Sequence, residues 1–169
     1  MCVKIVQNSD LRDQFLLNFN AESGIKVDIR SIRRRWAATS QNFDKKRRLF
    51  LGKQYGQLCR LIASQNINVV IATINLFTEV HQWNRHNLPG YFEVYLKVPI
   101  EELRRIDSKN IYSRFEAGKL SHVVGLDLPF DEPKLADWTI EYNNWRPTKE
   151  NAQKLLEALS RKYPDDWKL

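Results

Sequence analysis

The sequence predicts an α/β protein of three layers, a parallel sheet covered by helices on both faces. Three observations predict it. Residues 69–74, Val-Val-Ile-Ala-Thr-Ile, are nearly continuous in apolar character, as expected of a strand buried on both faces rather than one alternating between core and water. A helical apolar pattern through Tyr55, Leu58, Cys59 and Ile62 leads into that run. A second β-branched and aromatic run follows at 92–98, and strands separated by helix-length segments require parallel crossovers.

From the start of the chain, residues 3–6 read as a first strand, followed by an amphipathic segment with Leu11, Phe15, Leu16 and Phe19 on one side. A short strand is expected at 25–29, then the helix through Tyr55, the strand at 68–74 and the strand at 92–98. Trp138-Thr139-Ile140 suggests a fifth strand. The closing helix starts at Thr148, a capping residue with Glu150 nearby, and carries Ala152, Leu155, Leu156 and Leu159 on one face. Residues 108–133 show no periodicity, only Lys109, Arg114, Lys119, two glycines and two prolines, and read as a long, partly mobile loop over a site. With no internal repeat and no compositional break, residues 1–163 form a single domain and 164–169 a loose tail.

Composition narrows the class. A chain of 169 residues with 43% hydrophobic and 11% aromatic content can bury a real core, which excludes disorder for most of it. No apolar stretch approaches the ~18 residues of a membrane span, and the first ten residues lack the pattern of a signal peptide, so a cytoplasmic protein without a membrane partner is expected. Cys2 and Cys59 are far apart and only three His are present, so the thiols are read as reduced and structural and no zinc-type ligand spacing exists. Of a formal charge of +7, residues 26–60 hold eleven Lys and Arg against two aspartates. That stretch is either a solvated face or a surface for a phosphate-bearing ligand. Nucleic acid is the weaker reading, because no RNA-binding signature interleaves aromatics with glycines.

Three stretches carry a more specific message. The first is Ala72-Thr73-Ile74-Asn75 with Asn84-Arg85; the second is Tyr91-Phe92-Glu93-Val94-Tyr95-Leu96. The third is Asp107-Ser108-Lys109-Asn110-Ile111-Tyr112 with Ala117-Gly118 and Val124-Gly125-Leu126-Asp127-Leu128-Pro129-Phe130. Together, over roughly residues 27–140, they resemble the adenylylsulfate kinases, which carry phosphate from ATP to the 3′-hydroxyl of adenylylsulfate on a P-loop kinase fold. The first two stretches look like that family's strand, substrate loop and next strand, and the third like its lid. The wording around 74–95 is similar to members found with surface-polymer genes, some of which act on a cytidine nucleotide.

The resemblance implies a sulfonucleotide or related nucleotide as ligand, ATP and Mg2+ as cofactors, and a possible homodimer. Position by position it places Arg33, Phe43, Arg48, Asn75 and Phe130 on the nucleotide acceptor and Lys109, Tyr112 and Arg114 in the lid, with Asp28 a candidate catalytic carboxylate. The chemistry suits those types: a guanidinium fork grips phosphate or sulfate in bidentate fashion, and an aromatic ring can stack on a base. Without the resemblance, Phe43 and Phe130 would read as ordinary core or loop-anchoring rings, and Arg33 and Arg48 as solvated charge.

The donor half of the family pattern is missing. A P-loop needs G-x-x-x-x-G-K-[ST] after the first strand, so that bare amides and a lysine surround the phosphates and a hydroxyl holds magnesium. Here Gln7-Asn8-Ser9-Asp10-Leu11-Arg12 follows that strand, and the first glycine of the chain is Gly24. Arg30 stands where the family's second substrate-segment aspartate is expected, Arg47 replaces another aspartate, and Ile106 replaces an arginine before Asp107. Three readings follow: a kinase holding ATP with other cations of residues 26–60, a relative that binds nucleotide or partner without catalysis, or a chain whose natural start lies elsewhere.

Overall fold

The computed structural model describes residues 2–6, 25–26, 44–74, 77–107, 109–142 and 148–164. Within them five strands form one sheet: β1 (Cys2–Val6), β2 (Ile25–Lys26), β3 (Val69–Thr73), β4 (Tyr91–Lys97) and β5 (Trp138–Glu141). Their order is β2-β3-β1-β4-β5, and every pairing is parallel. The expected strand at 25–29 is present as Ile25–Lys26, its remainder lying outside the described residues. The helices are α1 (Lys45–Ala63), α2 (Thr78–Asn87), α3 (Ile100–Ile106), α4 (Ile111–Glu116) and α5 (Thr148–Lys162).

Pleating divides the sheet residues between two cores. Val69, Ile71 and Tyr91 face α1 and α2 and pack with Leu51, Tyr55, Cys59, Ala63 and Leu88. Val70, Phe92, Val94 and Leu96 face the other way, against Leu155 and Leu159 of α5, both fully buried. This explains the unbroken apolar run at 69–71: both faces of the strand are covered. Asp44 caps α1 by accepting from the Arg47 amide at 2.8 Å. On α1, Gly56 permits close contact with α2, since a Cβ there would lie 2.5 Å from Trp83 Cζ3 and 2.7 Å from Asn84 Oδ1.

One position breaks the apolar rule. Glu93, in the middle of β4, is 1% exposed. Its carboxylate hydrogen-bonds His81 Nδ1 and accepts from the Tyr91 hydroxyl at 2.9 Å, with Arg85 Nη2 3.6 Å away. Arg85 also grips Asp137 through two contacts of 3.1 and 3.3 Å, Asp137 accepts the Glu93 amide at 2.7 Å, and Lys162 pairs with Asp137. A buried charge persists only when paired and hydrogen-bonded, and these contacts supply that pairing while joining α2, β4, the approach to β5 and the end of α5. Burial pushes the Asp137 carboxyl up, but Arg85, Lys162 and the Glu93 amide outweigh it and hold it below the ordinary value.

Two expectations need correction. Asn84 and Arg85 are not in a loop; they lie on α2, where Asn84 is buried against α1 and Arg85 holds the charge network, so the crossover from β3 to β4 is largely helical. Residues 108–133 are not one long loop either, because they contain α4 and a bridge between Val124 and Leu128. The reason is the same in both cases: short helices whose faces meet carboxylates and glycines carry no clear apolar period.

Candidate nucleotide site

In an open parallel sheet, ligands sit beyond the carboxyl ends of the strands where the strand order reverses. Here β1 is central, with β3 on one side and β4 on the other, so that Val6 lies beside Thr73 and Tyr95. Among the described residues, this edge includes Ile74 and Phe77 after β3, Lys45 of α1 over the Phe77 ring, and Asp131 and Glu132, which contact Thr78 and Tyr95. Ile74 is 45% exposed at this edge, whereas Phe77 is buried.

Four carboxylates organise residues 107–133. Asp107 accepts from the Tyr112 amide at 3.0 Å and the Ser113 amide at 2.9 Å, and from the Ser113 hydroxyl at 2.7 Å, which starts α4. Asp127 accepts from the His122 and Val123 amides at 2.7 and 2.6 Å, drawing 122–128 into a tight loop. Asp131 reaches α2 and accepts the Thr78 amide at 3.0 Å, capping a helix whose own N-cap, Phe77, has no capping side chain. Glu132 lies 3.5 Å from the Tyr95 hydroxyl and 3.6 Å from Lys97 Nζ, at the end of β4.

The charges behave accordingly. Asp131 is held below the ordinary carboxyl range, first by the Thr78 amide and then by its hydroxyl, Lys45 and His81. Asp107 and Asp127 are lowered as well: desolvation raises each, and the amide hydrogens of their own loops prevail. Burial first, and Glu132 second, push the Tyr95 hydroxyl up to about 12. Cations meet this edge from α1, where Lys45 Nζ stands 5.6 Å above the Phe77 ring and Arg48 Nη2 donates to the His122 carbonyl at 2.9 Å.

Of the acceptor residues expected from the sequence, Arg48 and Phe130 are placed. Arg48 joins α1 to the 122–128 loop, and Phe130 follows that loop 40% exposed, with its Cε1 3.7 Å from where a Cβ on Gly125 would stand. Lys109, Tyr112 and Arg114 lie just before or on α4; burial, then Asp107, raises the Tyr112 hydroxyl. Asp28, Arg33, Phe43 and Asn75 lie outside the described residues. Sequence reasoning placed Asp107 and Asp127 in lid-like stretches without an individual role and did not single out Asp131 or Glu132. For Asp107 and Asp127 the available signal was an aspartate close to turn-forming neighbours, which favours side-chain caps of backbone amides, whereas Asp131 and Glu132 meet partners far away in sequence.

In sequence, the central strand β1 is followed by Gln7-Asn8-Ser9-Asp10-Leu11-Arg12, which contains no glycine and no Gly-Lys pair; these six residues lie outside the described ones. Among the described residues, no three His, Cys, Asp or Glu side chains cluster as a metal site, and no helix is long and apolar enough to cross a membrane.

Comparison with known proteins agrees with this geometry. The family model for adenylylsulphate kinase matches residues 16–141. The cytidine diphosphoramidate kinase of Campylobacter jejuni is 26% identical over 118 residues, 70% of this chain and 69% of that one. The adenylyl-sulfate kinase of Marinobacter nauticus is 30% identical over 83 residues, 48% of this chain and 42% of that one. Among solved structures, the Mycobacterium tuberculosis APS kinase CysC in complex with AMPPNP and APS superposes with a TM-score of 0.80 at 21% identity, covering 94% of this chain and 96% of the other. With a matched span of this length, on an all-parallel sheet with a β2-β3-β1-β4-β5 order, the chain belongs to the adenylylsulphate kinase family.

Proposed function

We propose that this chain binds an acceptor nucleotide, a nucleoside carrying a 5′-linked phosphate, sulfate or phosphoramidate group, and does not transfer phosphate to it efficiently from ATP. The observation that carries this reading is the glycine-free segment Gln7 to Arg12 directly after the central strand. Phosphoryl transfer leaves little covalent work to the protein, so its rate comes from positioning the donor and neutralising developing charge. Loss of a single such donor costs about 3 kcal/mol, and here the amide nest, lysine and hydroxyl are missing together. The acceptor side is supported better: the lid stretches persist in sequence, carboxylates hold the backbone amides of several residues between 107 and 133, and Phe130 follows the 122–128 loop with 40% of its surface exposed. Resemblance to a cytidine diphosphoramidate kinase favours testing cytidine nucleotides beside adenylylsulfate.

Calorimetric titration with CMP, adenylylsulfate and Mg2+-ATP tests it, together with a coupled kinase assay. The expected result is saturable binding of one acceptor, little affinity for Mg2+-ATP, and no turnover above a heat-killed control. Turnover would instead favour a kinase that holds ATP with the cations of residues 26–60, a reading supported by their surplus of positive charge. Binding of none of the three ligands would remove the proposal.

A further inference from the structure

Arg48 has been read so far as a ligand for the acceptor, but the structure shows its guanidinium bonded within the chain. Asp44 caps α1, and the Arg48 amide bonds the Asp44 carbonyl at 3.0 Å, so Arg48 stands in the first turn of a well-started helix. Its Nη2 donates to the His122 carbonyl at 2.9 Å, across 74 residues of chain.

The receiving loop is a closed unit. Asp127 takes the amides of His122 and Val123; the Gly125 amide bonds the Leu128 carbonyl at 3.0 Å; the Leu126 and Leu128 amides both bond the Val123 carbonyl at 3.1 Å. Val123 and Leu128 are buried beneath it, while His122 and Gly125 take positive φ of 60° and 87°. These bonds tie the loop to itself. The bond from Arg48 to the His122 carbonyl fastens the loop to α1, and Phe130 follows two residues beyond it.

We propose that Arg48 is a positioning residue: it latches the 122–128 loop, and with it Phe130, onto α1, rather than acting chiefly as the bidentate anchor of the acceptor's phosphate or sulfate. The inference rests on the proposed acceptor site only for what Phe130 is positioned to meet. The latch itself is a property of the chain without ligand.

Hydrogen-deuterium exchange of the full, ligand-free chain tests it in wild type, R48A, R48K and D127N. Because a charged donor to a carbonyl is a strong hydrogen bond, R48A is expected to raise exchange across 119–130 about tenfold. D127N should loosen the same segment, and R48K, which keeps a donor of like charge, should hold it within about threefold of wild type. Unchanged exchange at 119–130 in R48A overturns the latch. Should R48A also loosen α1, as read from peptides at 51–63, R48K decides: exchange at 119–130 as high as in R48A overturns it. Affinity for CMP and adenylylsulfate supplies the second readout. A latch predicts that R48K keeps affinity within about threefold, whereas a bidentate fork predicts a loss of about tenfold or more, because an ammonium cannot replace the fork. If wild type binds neither nucleotide, the acceptor reading fails and the exchange result still judges the latch.

Discussion

The contact between α1 and α2 makes a prediction whose sign, not only its size, is informative. In an exposed helix interior, Gly56→Ala would stabilise by about 1 kcal/mol through helix propensity. In this structure the added methyl would meet Trp83 Cζ3 at 2.5 Å, Trp83 Cε3 at 3.0 Å and Asn84 Oδ1 at 2.7 Å, all inside or at the limit of real Cβ contacts. Asn84 is 3% exposed, and Trp83 packs on the core of Leu51, Tyr55 and Cys59, so neither can swing away freely. Overpacking of this kind costs about 1–3 kcal/mol, which offsets the propensity gain and leaves a net loss of about 1 kcal/mol. For a chain of this size that loss lowers Tm by about 2–4 °C. Differential scanning calorimetry at fixed pH and concentration measures it, with urea unfolding as a check that the m value is unchanged. A Tm equal to or above wild type would refute the described α1–α2 approach.

The second core and the carboxylates can be probed as directly. Leu155→Ala removes a fully buried side chain of α5 and should cost about 3 kcal/mol, read as a lower urea midpoint at constant slope. Asp137 is lowered in the folded state, so its contribution is fully present above the unfolded carboxyl value of about 3.9 and fades as pH falls through the lower folded value. Stability measured from pH 6 down to 2 should decline on that limb, and Asp137→Asn should be less stable at pH 6 and show a shallower decline. An equally steep acid limb in Asp137→Asn would dismiss the Arg85 and Lys162 pairing as its source.

The class of the fold was legible in the chain because it depends on local apolar patterning. The run at 69–71, the aromatic and β-branched run of β4, and the pattern of Tyr55, Leu58, Cys59 and Ile62 on α1 each report burial, with Tyr55 and Cys59 buried in the core and Ile62 packed against it. The expected strands fall within a residue of the observed ones at β1, β3, β4 and β5, and the closing helix begins at Thr148 as its capping residue indicates. The absence of the G-x-x-x-x-G-K-[ST] motif was equally plain, since a motif can be read directly from the order of residues. The short helices α2, α3 and α4 were not legible. Thr78 needs Asp131 as its cap from 53 residues away, α4 depends on Asp107, and the polar faces of these helices answer to partners rather than to a period.

The sequence by itself determined a parallel α/β chain resembling the adenylylsulphate kinases in which G-x-x-x-x-G-K-[ST] does not occur, because hydrophobic spacing and the presence of a motif are properties of neighbours along the chain. Only the tertiary structure decided that Glu93 is tolerated inside β4, that Gly56 admits Trp83 and Asn84, and that Arg48 donates to the His122 carbonyl. Those outcomes depend on which groups meet through space, and a pairing energy between distant residues leaves no periodic trace in the order of amino acids.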